Sequence, residues 1–343
     1  MRAAVFYEHG GLDKLSITDV PTPTPGPDDA LVRVKAVALN HLDLFVREGI
    51  PGLKLTMPHI GGSDIAGVVE AVGANVTGLA AGQRVLINPS LWCGKCEACI
   101  RGDHSLCDSF GILGEHGPGG MAEFISVPAR NVLPIPDSLS FVEAAAVPLV
   151  YQTAWRALMT QAALRAGETV LILGASGGGA SAAIQIAKLA GAYVYAVTSS
   201  EEKAAAARAL GADETIDRTT SDFSREIWQR TKRRGVDVVL ENTGAATWKG
   251  SLRAVRKGGR IVTYGATTGP MGETDIRVIF WKQPFIIGST MASQSEFNAV
   301  MNLVFQGRLK PVVDRVMPLD EMVEAQRILA AGEQFGKIVL TVD

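Results

Sequence analysis

The stretch "VLILGASGGGASAAIQIAKLAGA", residues 170–192, overlaps the longest charge-free run of the chain, between Glu168 and Lys188. A run of that length approaches what a membrane span needs. Its interior, "GASGGGAS", excludes a span, because glycine and small residues divide it into a strand, "TVLIL" (169–173), a tight turn and a helix, "SAAIQIAKLAG" (181–191). The turn asks for a phosphate: backbone N–H groups at a helix N-terminus bind a pyrophosphate only where no side chain blocks the approach. Gly177 and Gly178 meet that condition, and the fingerprint G-x-G-x-x-G is present as Ala175, Gly177 and Ala180, with Ser176 and Gly179 between them. A strand before the turn and a helix after it favour dinucleotide binding over a bare structural turn.

The patterns on the two sides of this unit differ. Before it, "ALVRVKAVAL" (30–39) alternates, "GVVEAVG" (67–73) and "RVLINP" (84–89) are short β-rich runs, and "PTPTPGPDD" (21–29) is a turn-rich connector. After it, strands at "VYAVT", "VDVVLEN", "RIVTYGA" and "FIIGST" are separated by helical segments, among them "EEKAAAARALG" (201–211), "REIWQRTKRR" (225–234) and "WKGSLRAVRKGG" (248–259). That order predicts a parallel, doubly wound sheet with right-handed crossovers. A last helix, "LDEMVEAQRILAAGE", precedes a strand, "GKIVLTV" (336–342), that has no place left in that sheet and is expected to return to the N-terminal domain. No internal repeat or low-complexity tract is present.

Length and composition are consistent with this. A chain of 343 residues exceeds what one core usually supports, and 47% apolar with 20% charged residues is globular. Net charge is −2 and the one basic cluster, "RTKRR" (230–234), is short, so neither a nucleic-acid surface nor a membrane patch is indicated and small-molecule partners are favoured. The first residues, "MRAAVFYEHGGLDKL", lack the apolar core of a signal peptide, and all four cysteines are clustered, which together imply a reducing, cytoplasmic setting.

The glycine unit followed by "EEKAAAARALGADETID" (201–217) resembles the medium-chain dehydrogenase/reductase superfamily, and "PHIGGSDIAGVVEAVG" (58–73), "GMAEF" (120–124), "LSFVEAAAVPLVYQTAW" (139–155), "GGRIVTYGATTG" (258–269) and "FGKIVL" (335–340) fall in that family's order. The resemblance implies an α/β chain: a GroES-like, partly β-barrel catalytic domain, residues 1–150 and 288–343, around a Rossmann domain with a doubly wound parallel sheet, residues 151–287, and an active site in the cleft between them.

The four cysteines follow C-x2-C-x2-C-x7-C, with Cys93, Cys96, Cys99 and Cys107 on a hydrophilic loop, a spacing that suits tetrahedral zinc. A disulfide pair is disfavoured by a reducing compartment; a four-iron cluster usually wants a closer fourth cysteine followed by proline, whereas Cys107 is followed by Asp108. The family's structural zinc lobe lies at this place and matches all four. A closed four-thiolate site has no open position for substrate, so such a zinc stabilises a loop (93–107) and does no chemistry. Members that are alcohol dehydrogenases hold a second, catalytic zinc, and here the chain departs at each ligand position: Asn40 in "NHLD", Ser63 in "GSD" and Leu149 in "PLVYQT" replace them. Amide, hydroxyl and isobutyl groups do not make a zinc site. A rebuilt metal site from His41, Asp43, Asp64 and His59 is the alternative that spacing leaves open.

The pattern is similar to the zinc-free quinone oxidoreductase branch with the zinc lobe retained. That resemblance implies hydride transfer to an acceptor already electrophilic, a quinone, conjugated enone or activated carbonyl, with positioned donors supporting the developing oxyanion. Asn40 is the first candidate donor; His41, Ser63 and Tyr151 follow, Asp64 is placed to orient a donor, and Asp43 is read as structural. His116, on the glycine-rich loop "LGEHGPGGMAEF" (113–124), is expected at the surface, His104 stands beside the cysteines as a spare ligand, and His9 has no context that singles it out. An alcohol dehydrogenase with an unusual metal, and a cofactor-binding protein without turnover, are the competing functions.

Cofactor choice turns on the end of the second Rossmann strand, where NAD-selective domains carry an acidic residue. "VYAVTSSEEK" (194–203) offers Thr198, Ser199 and Ser200 there, and "ETIDRTTSD" (214–222) supplies Arg218, a guanidinium suited to a 2′-phosphate, with Lys203 as a second cation. NADP(H) is therefore expected ahead of NAD(H), unless Glu201 or Glu202 swings back to the ribose. Thr153, Gly265 and Ser289 complete the expected cofactor set. The family pairs the edge strands of two Rossmann sheets, so a homodimer or a tetramer of dimers is implied, with "RVIFWKQPFIIGST" (277–290) at the edge.

Overall fold

The computed structural model describes residues 1–342. The chain divides into two compact units, Met1–Val150 with the segment from Ala292 onward, and Tyr151–Met291. The second unit runs past the expected limit at 287 because the strand Phe285–Gly288 pairs with its sheet and Ser289 N–H continues the pairing to Thr263 O at 2.9 Å.

In the first unit the strand Asp29–Ala38 lies centrally in a sheet ordered Val132–Pro134, Arg84–Ile87, Asp64–Val72, Asp29–Ala38, Lys337–Thr341, Val313–Pro318, with Phe124–Pro128 also on the central strand. A smaller sheet joins Ser16–Asp19, Arg2–Phe6 and His59–Ile60. Alternation in "ALVRVKAVAL" is asymmetric in its burial: Arg33 is exposed, while Val32, Val34, Val37 and their neighbours are enclosed with Ile65, Val85, Ile87 and Met121 in one core. The terminal strand pairs with the central one through Val339 opposite Ala38, and Asp64 stands opposite Ala38 on the other side. That register brings the ends of three strands together.

The second unit carries a six-stranded sheet, every neighbouring pair parallel, ordered Glu214–Asp217, Tyr193–Thr198, Thr169–Ile172, Val236–Glu241, Val255–Thr263, Phe285–Gly288. The order reverses at Thr169–Ile172, whose carboxyl end is where ligands bind in such sheets. Two sequence expectations are corrected here. The helix expected over 248–259 ends at Ala254, because Gly258 takes a positive φ of 63° and Gly259 sits where a Cβ would fall 2.6 Å from Val255; the segment from Val255 is strand instead. The segment 277–290 is not all β: Asp275 caps a helix, Ile276–Lys282, accepting from Arg277 N–H, and only Phe285–Gly288 is extended. No helix among the described residues is long and apolar enough to cross a membrane.

Candidate functional site

The second unit supplies a cradle at the carboxyl ends of its strands. Gly174 holds the turn at φ +58°, Gly177 N–H bonds Gly174 O at 2.9 Å, and the helix Gly178–Leu189 starts at Gly177 without a side-chain cap. A Cβ on Gly177 would meet only Gly174 O, at 3.5 Å, so the protein leaves this face of the helix N-terminus open. A Cβ on Gly179 would lie 3.0 Å from the Tyr264 hydroxyl, so this glycine is needed for packing. Along the same edge the hydroxyls of Thr198 and Ser289 are buried with no hydrogen-bond partner among the described residues, so each is available to a polar group of a ligand. Open N–H groups, absent side chains and orphaned hydroxyls together fit a dinucleotide.

Arg218 N–H bonds Thr198 O at 3.0 Å, which places Arg218 beside the end of the second strand; it is exposed, and its guanidinium makes no hydrogen bond or ion pair among the described residues. Ser200 is drawn into another task, capping the helix Glu201–Ala209 by accepting from Lys203 N–H at 3.3 Å. Glu201 pairs with Arg208 rather than turning back toward the strand end. Thr153 is buried with its hydroxyl toward Met291 Sδ at 3.6 Å, and Gly265 packs against Asn242 O. Tyr151 also belongs to this unit: its hydroxyl accepts from Gln185 Nε2 at 2.9 Å, 1% of the residue is exposed, and burial raises its pKa.

In the first unit a polar cluster forms at the three strand ends. Asn40 precedes the helix His41–Glu48, and Asp43 folds back to accept Asn40 N–H at 2.7 Å and Gly62 N–H at 2.9 Å, tying this helix to the segment that carries Ser63 and Asp64. Burial pushes the Asp43 carboxyl up to about 6, against the pull of those two N–H donors. Asp64 is fully buried: Oδ1 accepts Leu149 N–H at 2.6 Å, and Oδ2 accepts Asn40 Nδ2 at 3.0 Å and Lys337 Nζ at 2.8 Å. Lys337, itself 3% exposed, also donates to Asn40 Oδ1 at 2.6 Å. The Ser63 hydroxyl is buried with no hydrogen-bond partner among the described residues. His41 is not hydrogen-bonded into the cluster, and burial, then the Lys337 charge, lower its pKa. Sequence reasoning missed Lys337, whose only signal was a lysine at the entrance of a strand.

The glycine-rich loop 113–120 supports this segment directly. Gly119 N–H bonds Ile60 O and Gly120 N–H bonds Gly62 O, each at 2.8 Å, and a Cβ on Gly119 would fall 2.2 Å from Gly61 O, so the two backbones touch. His116 faces outward on that loop, accepting Ile112 N–H; His59 binds Gly114 O at 2.9 Å; and His9 holds Val46 O at 3.0 Å.

The sulfur atoms of Cys93, Cys96, Cys99 and Cys107 all lie within 4.8 Å of one another, and this is the one group of three or more metal-binding side chains among the described residues. Zinc–sulfur bonds of about 2.3 Å in a tetrahedron put sulfurs about 3.8 Å apart; Cys93 and Cys99 are at 3.9 Å. Backbone donors favour thiolates: Lys95 and Cys96 N–H groups hold Cys93 down to about 6, while burial pushes Cys99 up to about 12. A cation at the centre would reverse the latter. His104 is not a ligand: its Nδ1 accepts Gln294 N–H at 3.1 Å and its ring packs on Trp92. The rebuilt site of His41, Asp43, Asp64 and His59 does not converge. The Asp64 oxygens already accept from the Leu149 N–H, the Asn40 amide and the Lys337 ammonium, so these residues do not fit a metal there.

Two family models match, an alcohol dehydrogenase GroES-like domain over residues 26–137 and a zinc-binding dehydrogenase domain over 178–306. An NAD-dependent alcohol dehydrogenase of Sulfurisphaera tokodaii is 33% identical, over 99% of each chain. A quinone oxidoreductase of Pongo abelii is 30% identical, over 99% of this chain and 97% of its own. A solved structure of an NAD-dependent alcohol dehydrogenase is 46% identical, over 100% of each chain, with a TM-score of 0.96.

Proposed function

We propose, from the premise that this chain belongs to the medium-chain dehydrogenase/reductase superfamily and is an NAD(P)-dependent oxidoreductase, that it passes a hydride from NADPH to a quinone, a conjugated enone or an activated carbonyl without a catalytic metal. The observation that carries this reading is the buried cluster in which Asn40 and Asp64 bond each other and both accept from the Lys337 ammonium. When bound, the nicotinamide supplies the hydride, and an acceptor that is already electrophilic needs no Lewis acid. The chain's own part is then to hold the dinucleotide at Gly177, Gly178 and Gly179 and to meet the charge developing on the acceptor oxygen with neutral donors, the Asn40 amide and the Ser63 hydroxyl. The test is NADPH oxidation by a small quinone and by an α,β-unsaturated ketone, with zinc counted in the same preparation. Turnover with one zinc per chain supports the reading; activity that tracks a second metal overturns it.

NADPH is the proposed donor because the second strand ends on Thr198, Ser199 and Ser200 and not on a carboxylate, Glu201 is paired with Arg208, and the Arg218 N–H bonds Thr198 O beside that end. Arg218→Ala is expected to weaken NADPH binding by roughly 1–3 kcal/mol, the usual value of a charge-assisted contact, and to leave NADH binding nearly unchanged. Titration of both cofactors against both proteins checks this; equal affinity of the wild type for the two cofactors overturns it.

The chain is also proposed to associate through the outer strand Phe285–Gly288. Phe285 is 64% exposed, and the preceding helix leaves Trp281 and Phe280 exposed at 67% and 59%. A bare edge strand beside exposed aromatic rings promotes aggregation unless a second copy covers it. Sedimentation at micromolar concentration is expected to give a dimer or a tetramer; a monomer refutes the proposal.

A further inference from the structure

We infer that Lys337 is a positioning residue for hydride transfer, fixing the Asn40 amide in the one orientation that turns its NH2 group, and never its carbonyl, to the acceptor. This rests on the proposed transfer to an oxygen-bearing acceptor. The two ends of an asparagine amide are nearly alike in shape, so packing alone does not choose between them. Here the chemistry of the neighbours chooses. An ammonium only donates, and it meets Oδ1 at 2.6 Å; a carboxylate only accepts, and Asp64 meets Nδ2 at 3.0 Å. Turning the amide over would set NH2 against an ammonium and C=O against a carboxylate, replacing two charge-assisted hydrogen bonds by two repulsive contacts.

All three side chains are at least nine-tenths buried, so water does not substitute for either partner. Asp64 is held in turn by Leu149 N–H at 2.6 Å, which leaves it no freedom to follow a displaced amide. Of the two Nδ2 hydrogens one is committed to Asp64, and the other has only Ala38 O at 3.5 Å, the outer limit of a hydrogen bond. That second hydrogen is the one offered to an acceptor oxygen. Lys337 touches no reacting atom in this scheme; it acts through Asn40.

The experiment uses the full chain and five variants: Lys337→Met, Lys337→Arg, Asn40→Ala, the double Lys337→Met/Asn40→Ala, and the charge-balanced double Lys337→Met/Asp64→Asn. Single-turnover oxidation of NADPH by a small ortho-quinone is read together with the KM for the quinone and the Kd for NADPH. Lys337→Met is expected to slow the hydride step by roughly 10- to 100-fold with both binding constants within about threefold of wild type. Lys337→Arg, which keeps a donor cation, recovers most of the rate, and in the Asn40→Ala background Lys337→Met has no further effect. Should Lys337→Met fail to fold because Asp64 is left buried without a partner, the charge-balanced double stands in, with the same slowing expected. A wild-type rate in whichever of these two folds overturns the inference, and so does an undiminished Lys337 effect in the Asn40→Ala background. A wild type that turns over no quinone or enone removes the proposed function and the inference together, whereas wild-type turnover insensitive to Lys337 removes the inference alone.

Discussion

Asn40→Ala is expected to slow hydride transfer by roughly 10- to 1000-fold while NADPH affinity stays close to that of the wild type, the cost of removing one preorganised donor to a developing oxyanion. The expected separation follows from where the groups lie: the amide belongs to the first unit's cluster, and the residues proposed to hold the dinucleotide belong to the second unit. Alanine also removes the acceptor for Lys337 Nζ, but the ammonium keeps Asp64 at 2.8 Å, so no buried charge is left without a partner and the fold should survive. Stopped-flow measurement of NADPH oxidation at saturating quinone reads the step directly. An unchanged rate constant would transfer the donor role to Ser63, whose buried hydroxyl has no partner of its own among the described residues.

The second large effect concerns stability. Purified protein is expected to carry one zinc per chain, and Cys99→Ser to lose it, lowering the thermal midpoint by roughly 5 °C or more, since binding to a structural thiolate site is itself folding free energy. Cys99 and Cys107 are buried with Trp92, so without the ion this small cluster has little else to hold it: its other members are Cys93, Cys96 and Phe110. Cofactor affinity should not follow the midpoint down. Elemental analysis showing two zincs per chain, or none in fresh protein, would refute the assignment.

What could be read from the chain alone was whatever depends on short-range pattern. The glycine turn, the four-cysteine spacing and the alternation of strand and helix after residue 168 each occupy a few dozen residues, and their periods and spacings survive without knowledge of the tertiary fold. The segment 277–290 was harder, because "RVIFWK" is apolar enough to read as strand until Asp275 is recognised as its cap. Lys337 was out of reach for a different reason. It lies 297 residues from Asn40 and 273 from Asp64, and nothing in "FGKIVL" says which strand it will pair with. Only the register, Val339 and Asp64 both opposite Ala38, puts the three side chains at one point. The bond between the Tyr151 hydroxyl and Gln185 was equally illegible, since the two residues meet only through the fold.

That long separation sets an order on folding. Pairing of Lys337–Thr341 with the central strand must close a loop that contains the whole of Tyr151–Met291. As a disordered chain such a loop is slow to close and costly in entropy, whereas a collapsed insert brings its own two ends into a defined separation. The inserted unit has a parallel sheet and core of its own, with which it can form first. Until the last strand docks, Asp64 has no counter-ion, and an ionised carboxylate is poorly tolerated in a dry core. The first unit is therefore expected to stay open and hydrated at its cluster until the last strand docks, and to become tight there in the same event that completes its sheet. Refolding followed by cofactor fluorescence and by near-ultraviolet dichroism should accordingly show the dinucleotide cradle maturing ahead of the acceptor cluster.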